Sequence, residues 1–478
     1  MSGAGPAHPV GARRTGGVGA LVLMLAAMML PPHAGRAETL AQTLVSAYEN
    51  SGLLEQNRAL LRAADEDVAQ VTAQLRPIIN WSAGLGRTFG ERSFGSLSSD
   101  LDSTDASLGL SLDLLLYDFG RTPLRRKAAR ETVLATREGL RSIEQQVLIR
   151  AVAAFMNLRR AQELLRVKQN NLRLLQEELR ATRDRFEVGE VTRTDVSLAE
   201  AQVASARSGL AAARGDLTRA VEEFRNAVGR APGQLQTPKR LPALSGDIEA
   251  AKRIALRNHP DMKKVQHQVA AADLTVAAAE AAMKPTISLS ASLSADEQVD
   301  GDRLTRSGSV GVALGGPIYQ GGLLTSVVRQ ALARRDALRG ALHLTQLNVA
   351  QIVGNSYAIL RAARASRIAG QEQVRAARVA FQGVREEAKV GSRTTLDVLD
   401  SEQKLLDAQA GLIAAEADLY IAAYSVLDSI GQLTVRDLRL NVKTYDPAAY
   451  YDLVKDAPVP ISPRGKKLDR VLRALGKN

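Results

Sequence analysis

The side chains that could do chemistry in this chain are few and far apart. Cysteine is absent, which excludes disulfides, thiolate catalysis and Cys-ligated metal centres. Beyond the first 37 residues the histidines are His259, His267 and His343, and even the nearest two stand eight positions apart, too far to share one metal ion. The glycines of Gly84-x-Gly86-x-x-x-Gly90 only loosely resemble a dinucleotide-binding loop, because they lie in a strand-like pattern that no helix follows. The sequence therefore predicts that the protein is not an enzyme and that it has neither a cofactor site nor a metal site.

The charge of the chain does not indicate nucleic-acid binding. The formal net charge is +12, with 24% charged and only 4% aromatic residues. Lysine and arginine are scattered beside glutamate and aspartate along long helical patterns, without the interleaved aromatic residues that would favour a nucleic-acid surface. The one local basic cluster is the tail from Arg464 to Lys477.

Residues 1–37 have the pattern of a secretory signal peptide. Arg13 and Arg14 precede an apolar run from Ala20 to Leu30, which is too short to span a bilayer as a helix. Gly35-Arg36-Ala37 places small residues where a signal peptidase reads them, so we expect cleavage before Glu38. The remaining chain shows no other long apolar run, and we expect an exported protein without a transmembrane helix.

The strongest pattern is an internal duplication. At an offset of 202 residues, Val188-Gly189 meets Val390-Gly391. Without a gap the match continues through Thr192/Thr394, Asp195/Asp397, Val196/Val398 and Glu200/Glu402. Upstream the offset becomes 208, so the first copy has six extra residues, which we expect a loop to absorb. The predicted organisation is helix–strand–strand–helix–helix over 38–228, a linker at 229–247, the same order over 248–435, and a C-terminal equatorial segment with a basic tail at 436–478.

Each copy contains two segments in which apolar and polar residues alternate. In the first copy the apolar positions are Ile79, Trp81, Ala83 and Leu85, then Leu108, Leu110, Leu112 and Leu114; in the second they are Ile287, Leu289, Ala291 and Leu293, then Val310, Val312 and Leu314. One pair of such segments could form a half-buried hairpin of a soluble sheet. Two pairs, four segments in all, in an exported chain favour strands of a membrane barrel. Four strands cannot close a barrel, and an open edge in lipid leaves backbone groups unsatisfied, so several chains must share one barrel.

The remaining segments predict unusually long helices. No proline interrupts the 64 residues from Pro123 to Phe186, which would reach roughly 96 Å as a helix. Shorter helices are predicted from Leu40 to Arg76 and from Ile248 to Lys284, each ended by a proline. The return helices alternate large and small seam residues, which favours close antiparallel coiled-coil packing. The chain is expected to reverse at Val188-Gly189 and at Val390-Gly391.

These features together resemble the TolC family of outer-membrane efflux proteins. The resemblance rests on the duplication, on Leu116-Tyr117-Asp118-Phe119-Gly120-Arg121 before a long helix, and on the hairpin tips at Val188-Gly189 and Val390-Gly391. It implies a mainly α-helical fold with membrane β-strands. A homotrimer would share a 12-stranded β-barrel in the lipid of the Gram-negative outer membrane and extend a long helical barrel through the periplasm. The implied partners are a periplasmic membrane-fusion adaptor and an inner-membrane RND pump or ABC exporter.

The resemblance also implies roles for individual residues. Asp397 and Asp400 match the aspartates that ring the periplasmic entrance of such a channel, and at this spacing they share one helix face. Arg393 and Asp195 match an inter-helix lock whose tyrosine is replaced here by Ala388. The residues expected at the adaptor-binding tips are Val188, Gly189, Thr192, Val390, Gly391 and Thr394.

The predicted function is export of small molecules, proteins or both through the outer membrane, and the sequence does not identify the cargo. The alternative is a periplasmic coiled-coil adaptor or structural protein without a membrane barrel. That alternative explains the helices and the leader, but it does not explain two pairs of amphipathic strands placed symmetrically in a duplicated chain.

Overall fold

The computed structural model describes residues 38–238, 240–244 and 246–474, so the predicted signal peptide lies outside the described residues. The first copy contains α1 (Leu40–Asn50), α2 (Gly52–Ala73), β1 (Ile78–Phe94), β2 (Leu97–Tyr117), α3 (Arg121–Glu187) and α4 (Arg193–Val228). The second contains α5 (Ile248–Asn258), α6 (Pro260–Ala281), β3 (Thr286–Gln298), β4 (Leu304–Gly315), α7 (Leu323–Lys389) and α8 (Thr395–Ser429). Two short helices follow, α9 (Ala449–Val454) and α10 (Pro463–Ala474).

Two long helical hairpins dominate the molecule, as the sequence predicts. The helices α3 and α7 have 67 residues each, which corresponds to roughly 100 Å. The return helix α4 packs along α3, and α8 packs along α7. The helix α3 also contacts α6 and α8, so the two copies lie side by side.

The predicted first helix of each copy is wrong in one respect, because each is two helices. Ser51 has an extended backbone, and its hydroxyl accepts a hydrogen bond from the Leu54 amide, so it caps α2. His259 has the same role before Pro260, and its Nδ1 accepts from the Asp261 amide at 3.2 Å. Local capping chemistry therefore ends one helix and starts the next where the apolar spacing alone appeared continuous.

The four strands form one antiparallel sheet in the order β1-β2-β3-β4, and its register separates apolar from polar rows. The pairing aligns Trp81 with Leu110 and Leu110 with Leu293 in one row, and Asn80, Ser111, Ser292 and Ser309 in the next. Ser292 and Ser309 share a hydrogen bond of 2.8 Å between their hydroxyls. The apolar row is exposed within the single chain, which is the pattern of a barrel wall with one lipid face.

The extra residues of the first copy do not form a loop, which corrects the expectation from the sequence. They lengthen β1 and β2 to 17 and 21 residues, against 13 and 12 for β3 and β4. Phe94 pairs with Leu97, so the turn consists of two residues, and Gly95 adopts a φ of 62° that suits it. A tight turn allows the ladder to continue where a longer loop would have ended it.

The main hydrophobic core lies midway along the long helices. It joins Phe155, Phe224, Tyr357 and Leu433, which come from α3, α4, α7 and the segment after α8. From this level the C-terminal segment runs back along α2 towards the sheet. The Tyr450 hydroxyl donates to Glu66 at 2.6 Å, and the Arg76 guanidinium donates to the carbonyls of Asp456 and Ala457.

One described helix, α8, is long and apolar enough to cross a membrane, with a mean hydropathy of 1.4 in its most apolar window. The sequence predicts no such helix. However, α8 packs along α3 and α7 in the helical part of the molecule, and its first turns carry Asp397 and Asp400. A packed core helix has the same composition, so this finding only weakly indicates a membrane span.

Candidate functional site

Both hairpins reverse through the same helix-ending turn at the predicted positions. The Gly189 amide donates to the Phe186 carbonyl at 3.0 Å, and the Glu190 amide donates to the Arg185 carbonyl at 2.9 Å. The second hairpin repeats both bonds, from Gly391 to Ala388 and from Ser392 to Glu387. Gly189 and Gly391 each have a φ of 78°, a left-handed conformation that glycine adopts without a steric penalty. The turn positions are thus confirmed, and the glycines are explained by backbone geometry.

Each return helix begins with a reciprocal capping box. The Thr192 hydroxyl accepts from the Asp195 amide at 3.3 Å, while the Asp195 carboxylate accepts from the Thr192 amide at 2.9 Å. Thr394 and Asp397 repeat the arrangement at 3.2 and 3.0 Å. Hydrogen bonds from the threonine hydroxyl and amide lower the pKa of Asp195, and those from the Thr394 amide and hydroxyl lower the pKa of Asp397. The Thr-x-x-Asp spacing could have revealed this capping role from the sequence.

The two predicted entrance carboxylates lie on the first turns of α8. Asp397 is partly exposed, and Asp400 is exposed, so both charges face solvent in the single chain. The matching positions of the first hairpin hold Asp195 and Leu198. The pair of carboxylates is therefore a property of the second hairpin alone.

The predicted lock residues do not contact each other in the described part of this single chain. The Arg393 Nε donates to Glu387 Oε2 at 2.8 Å, whereas Asp195 is occupied by its own capping box. The hydrogen bond to Glu387 raises the pKa of Arg393, and its charge lies near enough to Asp397 to attract that carboxylate. Val191 stands at the matching position of the first hairpin, whose nearest cation is Arg193, so a cation at this position is specific to the second hairpin.

The outermost residues of both tips are exposed apolar side chains. Val188 is 72% exposed and Val390 is 80% exposed. Thr192, Gly189, Thr394 and Gly391 are also exposed. Each tip thus presents one uncovered valine beside a glycine turn of the same backbone geometry.

Sequence reasoning missed a buried polar contact between the two hairpins near the entrance carboxylates. Asn171 in α3 donates from Nδ2 to Glu402 Oε1 in α8 at 3.0 Å, and both residues are buried. Burial raises the pKa of Glu402 to about 7, although the bond from Asn171 opposes the shift. An apolar cluster of Leu175, Val203 and Leu399 lies at the same level. In the first copy the matching Glu200 is exposed and bonds Arg183 instead.

Comparisons with known proteins agree with this architecture. The chain matches the family described as "Outer membrane efflux protein" over residues 43–230 and 253–432. It is 36% identical over 439 residues to the outer membrane efflux protein BepC of Brucella suis biovar 1 (strain 1330), covering 91% of this chain and 95% of that relative. It is 26% identical to the outer membrane protein TolC of Escherichia coli (strain K12), covering 84% of each chain. The Campylobacter jejuni CmeC outer membrane channel has the same fold, with a TM-score of 0.74 at 16% identity over 87% of this chain and 89% of that one.

Proposed function

Because the chain belongs to the outer membrane efflux protein family, we propose that three copies form one channel through which cargo leaves the periplasm or the cytoplasm. The chain lies in the outer membrane. The sheet would form the membrane barrel and the hairpins a tube through the periplasm. The observation that carries the proposal is the four-stranded sheet with two unpaired edges at the end of two 67-residue helices.

The sheet edges support sharing of one barrel between copies. Among the residues that the structure describes, β1 pairs only with β2 and β4 pairs only with β3, so each outer edge retains unpaired backbone groups. In lipid these groups have no water to bind, and an open edge is costly. Pairing β4 of one copy with β1 of the next satisfies both edges, and three copies give twelve strands around a lumen.

An uncovered apolar face on α7 supports the same assembly. Leucine, isoleucine and valine side chains are exposed along this helix at Leu344, Leu347, Ile352, Ile359, Ile368 and Val379. At an offset of 202, Asn157, Arg166 and Glu177 of α3 match Ile359, Ile368 and Val379. The apolar face is therefore specific to the second copy. In the trimer, the first hairpin of a neighbouring subunit would cover this face of α7.

We expect the purified mature protein to be a detergent-dependent trimer. The exposed apolar rows of the sheet require lipid or detergent, and the shared barrel requires three chains. Comparing unheated and heated samples on a denaturing gel, together with the mass of the protein–detergent complex, measures both properties. A monomer that remains soluble without detergent would contradict the proposal and favour the adaptor-like alternative.

The entrance is proposed to be formed by Asp397 and Asp400 of the three second hairpins. Six carboxylates around one axis would attract cations and repel one another. Arg393 is proposed to hold the entrance closed by gripping Asp195 of a neighbouring hairpin in the assembled channel, since a guanidinium can bind a carboxylate through two bonds. In the single chain Glu387 holds Arg393, so closing would exchange one carboxylate partner for another.

The hairpin tips are proposed to bind a periplasmic membrane-fusion adaptor that links the channel to an inner-membrane RND pump or ABC exporter. The support is the matched pair of exposed valines, Val188 and Val390, on identical turns. Six similar tips in a trimer would present a repeated apolar contact to a ring of adaptor subunits.

Replacing Val188 and Val390 by arginine is expected to abolish crosslinking to the adaptor in cells while leaving the trimer intact. Both valines are exposed and follow the last helical residue, so the change adds bulk and charge without removing a cap. Arginine at Thr192 or Thr394 would be less informative, because it also removes a helix cap worth about 1 kcal/mol. Val188→Thr with Val390→Thr is the matched control. Wild-type crosslinking by the arginine variant would show that the tips are not the contact.

The family consists of channel proteins, and we propose that this chain has no catalytic activity of its own. The adaptor-like alternative fits less well, because it leaves the sheet and its exposed apolar rows without a role.

A further inference from the structure

A group of cations beside the sheet has no role in the proposed channel. Arg126, Lys127 and Arg130 of α3 line a pocket of about 250 Å³, together with Val68, Tyr451, Lys455 and Asp456. The three α3 cations are exposed, and none forms an ion pair within the part of the chain that the structure describes. Asp456, the one acid of the pocket, is already bound by Arg464.

The duplication shows that these cations are not needed to start the helix. The second long helix, α7, begins at the equivalent position after a glycine of the same conformation. At an offset of 202, Val328, Arg329 and Leu332 replace Arg126, Lys127 and Arg130. One copy thus carries three cations where the other carries one.

The basic tail extends the same surface. The helix α10 packs on α2 and α9 through Leu468 and Leu472. Its remaining face exposes four cations, at Lys466, Lys467, Arg470 and Arg473. Two apolar side chains before this helix are also uncovered, Val459 at 48% and Ile461 at 85% exposure. Exposed apolar residues beside clustered cations are typical of a segment that lies in a membrane interface.

The contacts of the C-terminal segment put this surface at the boundary of the sheet. Arg76, which binds the carbonyls of Asp456 and Ala457, lies two residues before the start of β1 at Ile78. Arg126 is five residues into α3, which corresponds to about 8 Å along the helix axis. A headgroup layer is roughly 5–8 Å deep, so both groups lie within its reach. Arg130, nine residues into α3 and about 14 Å along its axis, reaches the layer only through its long side chain.

We propose that this basic collar, formed by Arg126, Lys127, Arg130 and the exposed cations of α10, binds the phosphate headgroups of anionic phospholipids in the periplasmic leaflet. Val459 and Ile461 enter the boundary between headgroups and acyl chains. The inference rests on the proposed position of the sheet in the membrane. The uncovered apolar pair favours a lipid over a free anion, which would need only the cations.

The test uses the full mature protein in a nonionic detergent and short-chain phosphatidylglycerol as the probe. Bound lipid per chain is measured by native mass spectrometry, with phosphatidylcholine and inorganic phosphate as parallel probes. We expect phosphatidylglycerol to bind to the wild type, and neither of the other probes to bind at the same concentration. Arg126→Gln with Lys127→Gln and Arg130→Gln is expected to weaken phosphatidylglycerol binding on the order of 100-fold, since each cation near a membrane contributes substantially.

The matched control removes three exposed arginines far from the sheet, by Arg180→Gln, Arg207→Gln and Arg214→Gln. It is expected to bind phosphatidylglycerol like the wild type. Equal binding by both triple variants would overturn the proposal, and so would phosphate binding as tight as lipid binding. Channel conductance is recorded on the same samples and is expected to be unchanged. Absence of conductance from the wild type would count against the proposed channel. Loss of lipid binding by the triple variant at Arg126, Lys127 and Arg130, with normal conductance, would support the lipid-binding collar without testing the channel.

Discussion

Replacing Asp397 and Asp400 together by asparagine is expected to remove most of the cation preference of the channel and to weaken block by multivalent cations on the order of tenfold or more. In the proposed trimer the change removes six negative charges from one ring. Asparagine is a better choice than alanine at Asp397, because its side-chain oxygen can still accept the Thr394 amide hydrogen bond that caps α8. Single-channel conductance in planar bilayers with unequal salt gradients measures the selectivity.

The duplication provides the control for this experiment. Asp195 makes the same capping contacts in the first hairpin, but the position that matches Asp400 is Leu198. Asp195→Asn should therefore leave selectivity unchanged, but it should raise conductance as Arg393→Ser does, because it removes the carboxylate that Arg393 is proposed to grip. Arg393→Ser is expected to raise conductance, because it removes the cation on which the proposed lock depends. If the double asparagine variant retains wild-type selectivity and block, the two aspartates are ordinary surface charges.

The pH dependence of this selectivity follows from the hydrogen bonds at Thr394. They lower the pKa of Asp397, so its charge persists at pH values where an ordinary aspartate is already protonated. Repulsion among the six carboxylates of the proposed ring acts in the opposite direction, so the capping bonds should keep more of the Asp397 charge at acidic pH than the ring without them would. The contribution of these bonds to folding stability follows the same direction, since a lowered pKa stabilises the folded state above the ordinary pKa.

Glu402→Gln is expected to stabilise the protein at pH 8 and to change its stability little near pH 4.5. Burial raises the pKa of Glu402 from 4.5 to about 7 in the folded state, so folding favours the protonated form. The loss of folding stability caused by burying the ionised carboxylate is absent below the unfolded pKa and grows as the pH rises towards 7. Above pH 7 it is complete, at about 3 kcal/mol. Glutamine has no charge to desolvate and can still accept the hydrogen bond from Asn171.

Thermal unfolding of the detergent-solubilised protein at pH 4.5 and pH 8 tests this expectation. The midpoint of the variant should exceed that of the wild type by a few degrees at pH 8 only. Glu200→Gln is the matched control, because Glu200 is exposed and its pair with Arg183 contributes little. A pH-independent difference between Glu402→Gln and the wild type would show that the buried carboxyl does not titrate in this range. Since Glu402 joins α3 to α8 near the entrance, its protonation should also tighten the contact between hairpins.

Several predictions from the sequence rest on local patterns, and these describe the chain well. Alternation of apolar and polar residues predicts all four strands, and the structure pairs them in one sheet. Val188-Gly189 and Val390-Gly391 predict both reversals, because a left-handed turn after a long helix requires glycine. The duplication reveals equivalent positions before any coordinates are known, and it supplies the controls Asp195→Asn and Glu200→Gln. The domain boundaries and the roles of the entrance and tip residues stay predictions.

The sequence by itself determined the repeated element order, the strand alternation and the hairpin turns, since each depends on residues close together in the chain. Only the tertiary structure decided which distant side chains meet. Asn171 and Glu402 are 231 positions apart, and their contact depends on how α3 packs against α8. Matching glutamates, Glu200 and Glu402, are exposed in one copy and buried in the other, although they occupy equivalent positions of the duplicated chain. Burial, and with it the pKa of a carboxyl group, is set by neighbours that packing supplies, and no spacing within one helix encodes those neighbours.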